Sequence, residues 1–558
     1  MPQTLFSDPD AIANGLPDKE ILPQLRAVLA AEPTAERPAS AIVVAPPGAG
    51  KTTSIPPVLA ASAWRGESGR IIMLEPRRLA ARAAAQRIAS LMGEEAGGFV
   101  GYRTRIDSAV SARTRIEVLT EGLFLRRLLG DPMLEDVACV ILDEVHERSR
   151  EADLALAFCL DLQRTLRPDR RLVAMSATAE TERLASLMNA PVLTSEGRMF
   201  ALEVHHAKKD IPTLRDIAPA TAAGIRQALA ETTGDILAFL PGTGEIRRTA
   251  QLLDGISATV LPLHGELHPA EQARVLRPAD NGERRVILAT SIAETSLTVP
   301  GVRVVVDCGY RRAPRFDAGA GLSRLDTLRI SRAAARQRAG RAGREAPGTA
   351  YCLWSASTQR AMPQHDRPEI LEADLADYVL ATALWADTVG TTEPLPLPDQ
   401  PPGSAVAAAR ELLEHLGALD PAGQITQLGK HMAQLGTHPR LAAMLLAART
   451  AEEAAMAADM AALLEERDPL RPRHTAQGRP PVTPPADIGL RLDLIAGEDH
   501  PDADRAALSR IRLAAKRFRS RLNVPQHLRA QGNAAALLAA GFPDRIALCR
   551  GAIGRASG

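Results

Sequence analysis

The chain has 558 residues, a length that exceeds one hydrophobic core and predicts about three or four domains. Its apolar content of 46%, charged content of 24% and formal net charge of +1 are typical of a globular protein and exclude a strongly basic nucleic-acid-binding chain. Scattered cysteines without a CxxC pair give no sign of a zinc site or a disulfide framework. Acidic residues precede any long apolar run, so we expect no signal peptide, no membrane span and a cytoplasmic location.

The first elements along the chain predict a lead-in followed by an α/β unit. Residues 1–39 contain an amphipathic helix near 16–31 and a proline-bearing linker. Residues 40–200 then alternate short apolar runs with helical stretches, which is typical of a parallel sheet covered by helices. The runs predicted as strands are 41–45, 70–74, 137–142 and 171–175.

A second α/β unit is predicted over residues 201–366. His205 and His206 have no acidic or cysteine partner at ligand spacing, so we expect strand residues there and not metal ligands. The runs predicted as strands are 235–240, 259–263, 285–289, 303–307 and 349–354. After residue 366 the strand signal fades, and apolar residues at helical spacing predict helices at 405–416, 428–435 and 441–464.

A glycine-rich segment after the first predicted strand has the pattern of a phosphate loop. It runs AlaProProGlyAlaGlyLysThr from Ala45 to Thr52. Its glycines let successive backbone N–H groups face phosphates, and the following helix N-terminus adds its dipole. Lys51 is expected to neutralise the β and γ phosphates, and the alternative is a tight strand-to-helix turn without a ligand. The predicted ATP contacts in the loop are Gly48, Ala49, Gly50, Lys51, Thr52 and Thr53.

Two acids follow the predicted strand 137–142, at the strand end where ligands of open α/β sheets bind. Asp143 is expected to hold magnesium, while Glu144 orients and deprotonates the attacking water. The predicted magnesium ligands are Thr52, Asp143 and Glu144. Without a phosphate loop, a solvated helix start before His146 would be the better interpretation.

The segment GlnArgAlaGlyArgAlaGlyArg, residues 337–344, is expected to supply arginines to the same nucleotide. Arg341 and Arg344 are three apart, so on a helix they would share one face and reach the γ-phosphate as charge builds in the transition state. Gln337 is expected to position the water or to report the state of the γ-phosphate to His146. GlyThrGlyGlu, residues 242–245, lacks a phosphate loop's lysine and hydroxyl, so one nucleotide is expected between two unequal halves.

These residues resemble the DEAH/RHA group of superfamily 2 helicases, most closely its bacterial HrpB-type members. The further motifs that carry the resemblance are GluProArgArg at 75–78, ThrGluGly at 120–122, SerAlaThr at 176–178, PheLeuProGly at 239–242 and AlaThrSerIleAlaGluThrSerLeuThr at 289–298. The resemblance implies two tandem RecA-like domains, 40–200 and 201–366. It also implies a winged-helix domain over 367–440 and a helical ratchet-like domain over 441–558. The chain stops at Gly558, before the family's OB-like region, so we expect a truncated or short member.

The resemblance also assigns roles to further residues. Arg87 matches an arginine that stacks on the nucleotide base, with Leu276 opposite it where many relatives have an aromatic residue. Residues implied to couple the γ-phosphate to domain closure are Ser176, Ala177 and Thr178. Residues implied to contact nucleic acid are Arg77, Arg78, Thr120, Gly242 and Thr290. For the threonines, local capping or turn bonding is the alternative.

The resemblance implies an ATP-dependent RNA helicase that uses ATP and Mg²⁺ and acts on single-stranded or partly duplex RNA. No motif reads a ribose hydroxyl, so a DNA-acting helicase stays open. A nucleotide-gated RNA clamp that switches without unwinding is a further alternative, although the complete set of Glu144, Gln337, Arg341 and Arg344 argues for hydrolysis.

Overall fold

The structure is a computed structural model, and its secondary structure is described only in part of the chain. The described residues are 12, 16–34, 38–46, 48–105, 107–178, 181–196, 200–267, 269–279, 282–294, 299–317, 322–391, 393–471 and 482–547. The chain divides into two compact units, the first comprising Met1–Ala373 with Glu393–Pro401 and the second comprising Asp374–Thr392 with Pro402–Gly558. Among the described residues, no helix is both long and apolar enough to cross a membrane.

The first lobe of the larger unit is an eight-stranded sheet with the strand order β4-β3-β5-β2-β6-β7-β1-β8. All neighbouring strands are parallel except β3 and β4. Its strands are β1 Ser40–Val44, β2 Arg70–Glu75, β3 Val100–Arg103, β4 Ser108–Ala109, β5 Ile116–Thr120, β6 Val137–Leu142, β7 Arg171–Ser176 and β8 Val192–Thr194. Its helices are α1 Leu22–Ala30, α2 Lys51–Ala60, α3 Arg78–Leu91, α4 Glu121–Gly130, α5 Arg150–Thr165 and α6 Glu182–Met188.

The lead-in helix α1 is part of the hydrophobic core of this lobe. Leu22, Leu25 and Leu29 are buried with side chains of α2 and of the sheet. This spacing of three and four residues aligns the leucines along one face of the helix. The lead-in was expected to precede the first folded unit, whereas its apolar face is covered by that unit.

The second lobe is a six-stranded parallel sheet with the order β11-β12-β10-β13-β16-β9. Its strands are β9 Leu202–His206, β10 Asp235–Phe239, β11 Thr259–Leu263, β12 Arg285–Ala289, β13 Val302–Asp307 and β16 Gly348–Cys352. A separate antiparallel hairpin consists of β14 Tyr310–Asp317 and β15 Leu322–Arg329. The helices of the second lobe are α7 Ile217–Glu231, α8 Thr243–Leu252, α9 Pro269–Val275, α10 Arg332–Ala339 and α11 Ala356–Ala361. Both histidines at 205–206 are strand residues, as predicted.

The smaller unit is helical where it is described. Its helices are α12 Ala376–Val389, α13 Gly403–His415, α14 Gln427–Leu435, α15 Pro439–Leu446, α16 Ala451–Glu465, α17 Ile488–Ala496, α18 Arg505–Arg521 and α19 Ala534–Gly541. The single helix predicted over 441–464 is therefore two helices, since residues 447–450 interrupt it. Short antiparallel pairing of Leu419 with Ile425 precedes α14. The predicted boundary at residue 440 stays a prediction.

Candidate functional site

The glycine-rich segment connects β1 to α2 in the first lobe. Gly48 and Gly50 have φ angles of 90° and 112°, in the left-handed region that glycine tolerates. Lys51 begins α2, is 6% exposed and donates a hydrogen bond from Nζ to the carbonyl of Ala45. The lysine side chain therefore folds back over the loop that precedes α2, and its predicted contact with phosphates stays a prediction.

The lead-in supports this loop in a way that the sequence did not indicate. A Cβ placed on Gly50 would lie 2.8 Å from Leu16 Cδ1 and 2.9 Å from Asp18 Oδ1. Asp18 is fully buried and accepts a hydrogen bond from the Ser54 hydroxyl, and burial raises the pKa of its carboxyl. The loop is therefore packed by residues that lie before α1 in the chain.

The two acids that follow β6 contact the phosphate loop. Thr52 Oγ1 donates to Asp143 Oδ2 over 2.5 Å, and the Glu144 N–H donates to Asp143 Oδ1 over 2.8 Å. Burial and the neighbouring Glu144 carboxylate raise the pKa of Asp143 to about 7. Burial opposes ionisation of Glu144, yet His146, Lys51 and nearby arginines together hold its pKa below the usual range. The two acids therefore differ. The surroundings of Asp143 do not offset the cost of burying its negative charge, whereas those of Glu144 keep its carboxylate ionised.

His146 connects elements of both lobes. Its Nδ1 accepts a hydrogen bond from the Ala177 N–H over 3.2 Å and lies 3.5 Å from Glu144 Oε2. Its Nε2 lies 3.3 Å from the Gln337 side-chain amide nitrogen in the second lobe. Next to Ala177, the Ser176 hydroxyl donates to the carbonyl of Thr178 over 3.0 Å. Gln337 and His146 are therefore neighbours across the two lobes, while the role predicted for Gln337 stays a prediction.

The predicted geometry of Arg341 and Arg344 was wrong in one respect. Helix α10 ends at Ala339, so both arginines lie in the turns that follow and do not share a helix face. Arg341 is 4% exposed, and its Nε donates to the carbonyl of Glu294 over 2.9 Å. Burial lowers the pKa of both guanidiniums, and the Glu144 carboxylate opposes this shift in each. The arginines therefore interact electrostatically with Glu144 from the segment after α10 and not from a helix face.

Arg338 holds these turns, and sequence reasoning missed it. Its side chain is 1% exposed, and Nε pairs with Glu294 over 2.9 Å while Nη1 pairs with Asp307 over 3.1 Å. The guanidinium also lies over the ring of Phe239 at 4.9 Å. Because Glu294 contacts Arg338 through its carboxylate and Arg341 through its carbonyl, it fixes both arginines. The only signal in the sequence for this role of Arg338 was its position inside the 337–344 motif.

Four of the five residues implied to contact nucleic acid share one structural position. Arg77, Thr120, Gly242 and Thr290 each occupy the N-cap between a strand and the next helical element. None of the four N-caps has a side-chain cap hydrogen bond. Neither threonine side chain caps its helix, so the capping part of the alternative is wrong, while turn bonding is untested. These helix starts leave backbone N–H groups available to an anion.

Two of these positions, Arg77 and Gly242, contact other elements of the structure. Arg77 contacts the second lobe, and Gly242 contacts the hairpin. Arg77 in the first lobe donates from Nη1 to the carbonyl of Ser291 in the second, over 2.9 Å, and pairs with Glu147 over 3.0 Å. The guanidinium of Arg312, on the hairpin strand β14, lies against Gly242, where a Cβ would be 2.9 Å from its central carbon. Arg312 was not predicted from the sequence.

Arg78 and Arg87 both lie on α3, where their side chains are exposed. Their predicted contacts with nucleic acid and with the nucleotide base stay predictions, as does a role for Leu276. Thr53 lies in the first turn of α2, where its hydroxyl donates to the carbonyl of Gly50 over 3.0 Å. Thr53 therefore stabilises the loop through a local contact.

The match to known families follows the same two lobes. The "DEAD/DEAH box helicase" model matches residues 24–187, the "Helicase conserved C-terminal domain" model matches 221–346, and the winged-helix "Helicase associated domain (HA2)" model matches 409–437. The chain belongs to the DEAD/DEAH box helicases.

Within that class the chain belongs to the DEAH/RHA type and is HrpB-like. It is 42% identical to the ATP-dependent RNA helicase HrpB of Escherichia coli over 97% of this chain and 63% of that protein. A crystal structure of the E. coli DEAH/RHA helicase HrpB matches with a TM-score of 0.83 and 40% identity, covering 97% of this chain and 65% of that one. The ATP-dependent RNA helicase HrpA of E. coli is 37% identical over 73% of this chain and 32% of that protein. The chain thus spans less than two thirds of the length of HrpB.

Proposed function

We propose that the protein hydrolyses ATP with Mg²⁺ between its two RecA-like lobes and uses the cycle to move along RNA, remodel it and unwind duplexes. One observation carries this proposal. His146 lies within 3.5 Å of Glu144 and contacts Ala177 of its own lobe and Gln337 of the other. A loss of contact between the lobes would therefore change the surroundings of Glu144 directly. Such coupling of closure to chemistry is what a motor requires.

The residues present fit a magnesium nucleotide. The hydroxyl of Thr52 and the carboxylate of Asp143 offer hard oxygen ligands 2.5 Å apart, and Mg²⁺ usually binds through one or two carboxylates, waters and phosphates. When bound, Mg²⁺ would supply positive charge that offsets the negative charge of the phosphates. Lys51 would hold the phosphate oxygens that its ammonium reaches from the start of α2.

Glu144 is the proposed general base. Its Oε2 is buried and makes no hydrogen bond among the described residues, although His146 is near. The lowered pKa keeps it ionised, so it can orient a water and accept its proton. Arg341 and Arg344 would stabilise the negative charge that develops on the transferred phosphoryl group.

The uncapped helix starts support a grip on the nucleic-acid backbone. Backbone N–H groups and the guanidinium of Arg312 favour phosphate oxygens, and such contacts fix register without reading sequence. The relatives HrpB and HrpA of E. coli are named as ATP-dependent RNA helicases, which supports RNA as the substrate. Phosphate contacts alone do not distinguish ribose from deoxyribose, and this favours a DNA-acting helicase as the second candidate.

The deciding experiment is steady-state ATP hydrolysis without nucleic acid, with single-stranded RNA and with single-stranded DNA, using Glu144→Gln as the blank. Strong stimulation by RNA alone, absent in the variant, is expected for an RNA-driven motor. Equal stimulation by DNA would favour the second candidate. RNA binding without stimulation would indicate the nucleotide-gated clamp instead.

A further inference from the structure

The proposed base and its histidine lie on a short turn with unusual backbone geometry. The turn is the 3-10 helix Val145–Glu147, and the residues on either side of it, Glu144 and Arg148, have φ angles of 51° and 53°. Non-glycine residues adopt this left-handed conformation at an energetic cost and keep it only where surrounding contacts hold them. At the first end, those contacts belong to the site already described, since Glu144 bonds to Asp143.

At the other end, Arg148 is held by Asp153 of nearby α5 and by two other segments, through the Asp399 side chain and the Glu369 backbone. Its Nη2 lies 2.9 Å from Asp153 Oδ2 in α5 and 2.6 Å from Asp399 Oδ2. Its carbonyl accepts a hydrogen bond from the Glu369 N–H over 3.1 Å. The Glu369 carboxylate in turn accepts from the Arg150 N–H over 3.1 Å. Arg148 is thus held through both its guanidinium and its backbone.

The two segments occupy a distinctive place in the chain. Glu369 begins the 3-10 helix Glu369–Leu371, just before the chain enters the helical unit at Asp374. Asp399 belongs to Glu393–Pro401, which packs with the larger unit although the residues on both sides of it belong to the helical unit. We call Arg148, Glu369 and Asp399 the clasp.

We propose that the clasp is a set of positioning residues for ATP hydrolysis: it holds the Val145–Glu147 turn so that Glu144 and His146 keep their geometry. The inference rests on the proposed function, because it assigns no chemistry to the clasp itself. It makes hydrolysis depend on the two segments through which the chain passes between the larger unit and the helical unit. Release of either segment would let the left-handed Arg148 relax and would shift the turn that carries His146.

The chain contains a matched control for this proposal. Asp399 Oδ1 also pairs with Arg183 over 2.7 Å, and the Arg183 side chain is 71% exposed. An exposed ion pair of this kind contributes little to stability. Arg183→Ala therefore removes the other partner of the same carboxylate without altering a contact to the catalytic turn.

The test compares Asp399→Asn with Arg183→Ala in the full chain, after thermal melting has shown that both fold. We expect Asp399→Asn to lower kcat for ATP roughly 10- to 100-fold, because small misplacements of catalytic groups have effects of this size. KM for ATP should stay within about twofold, since the phosphate loop is untouched. Asp399→Glu, which keeps the charge, should recover part of the loss. Equal kcat values in Asp399→Asn and Arg183→Ala, or a parallel rise in KM, would overturn the proposal.

A second measurement keeps this inference separate from the proposed function. Backbone amide hydrogen exchange over residues 145–153 should be faster in Asp399→Asn than in wild type or Arg183→Ala. If the wild type hydrolyses no ATP, the proposed function fails, and unchanged exchange would independently reject the clasp. Should Asp399→Asn fail to fold, Glu369→Ala tests the other segment, because it removes the carboxylate that accepts from the Arg150 N–H while the backbone bond to the Arg148 carbonyl is kept. Normal exchange and kcat in that variant would also reject it.

Discussion

Each lobe contains a strand followed by a glycine-bearing turn and a helix, but different side chains pack against the two glycines. In the first lobe, the loop before α2 contains Gly50 at a φ of 112° and is packed by Leu16 and Asp18 from below. In the second, the turn before α8 contains Gly242 in extended backbone, and the guanidinium of Arg312 lies against it. The first arrangement encloses a compact anion-binding loop, whereas the second leaves a helix start beside an arginine.

This difference explains how similar sheets take different parts in one reaction. The first lobe contributes Lys51, the acids and the loop, and the second contributes arginines in turns held by Glu294. Under the proposed function, a nucleotide would therefore need both lobes for hydrolysis but only one for most of its phosphate contacts. Variants in the two lobes should separate binding from chemistry.

The largest effect is expected from Arg341→Ala. This variant should lower kcat for ATP by about 10³-fold or more, since an arginine that stabilises the transition state contributes on that scale. ATP affinity should change only a few-fold, because the phosphate loop belongs to the other lobe. Both kcat and equilibrium binding of a fluorescent ATP analogue are measured in Arg341→Ala and in Lys51→Ala. Lys51→Ala should lose affinity for the analogue. Equal losses of affinity in both variants would contradict this division.

Gly50→Ala should damage the first lobe by two routes. The new Cβ would meet Leu16 and Asp18 at under 3 Å, and the left-handed backbone disfavours alanine. We expect a loss of about 1–3 kcal/mol in the free energy of unfolding and weaker ATP binding. Gly48→Ala is the matched control, since its φ of 90° is also unfavourable but its Cβ would have no atom within 4 Å. A larger loss in thermal stability for Gly48→Ala would refute the packing argument.

Glu121 should give the first lobe a pH-dependent stability. Burial, with weaker repulsion from Glu151, Glu147 and Glu369, raises its pKa to about 8 although Ser149 donates a hydrogen bond to it. A carboxyl with a raised pKa keeps a proton in the folded state, so stability falls as pH rises towards 8, by at most about 1.4 kcal/mol per pH unit. Glu121→Gln mimics the protonated form, and its advantage over wild type should therefore grow between pH 6 and pH 8. Identical melting curves across this range would exclude a protonated Glu121.

The smallest effect is expected from Arg312→Ala in the second lobe. Loss of one phosphate contact should weaken RNA binding by about tenfold at low salt and make the affinity less sensitive to salt. ATP hydrolysis without RNA should not change, because Arg312 lies on the hairpin and not at Glu144. Fluorescence anisotropy with a short single-stranded RNA at several salt concentrations provides the measurement. An unchanged salt dependence would remove Arg312 from the RNA surface.

Much of each lobe was predictable because its strands are buried on both faces. The strands β1, β10 and β12 are fully buried, so they appear in the sequence as continuous apolar runs. In contrast, β5 escaped prediction because Glu117 interrupts its apolar run. That carboxylate is fully buried and pairs with Arg70, Arg103 and Arg127, which come from other parts of the lobe.

The sequence by itself determined the phosphate loop, the two acids after β6, the 337–344 motif and the order of the lobes. These features are local, since each depends on residue types within a few positions of one another. Only the tertiary structure decided that Asp18 lies beneath Gly50, that Arg338 fixes the arginine turns and that Asp399 reaches Arg148 across 251 positions. Such pairs depend on strand order and on burial, because a charge becomes a specific partner only when folding removes it from water and brings its counterion close.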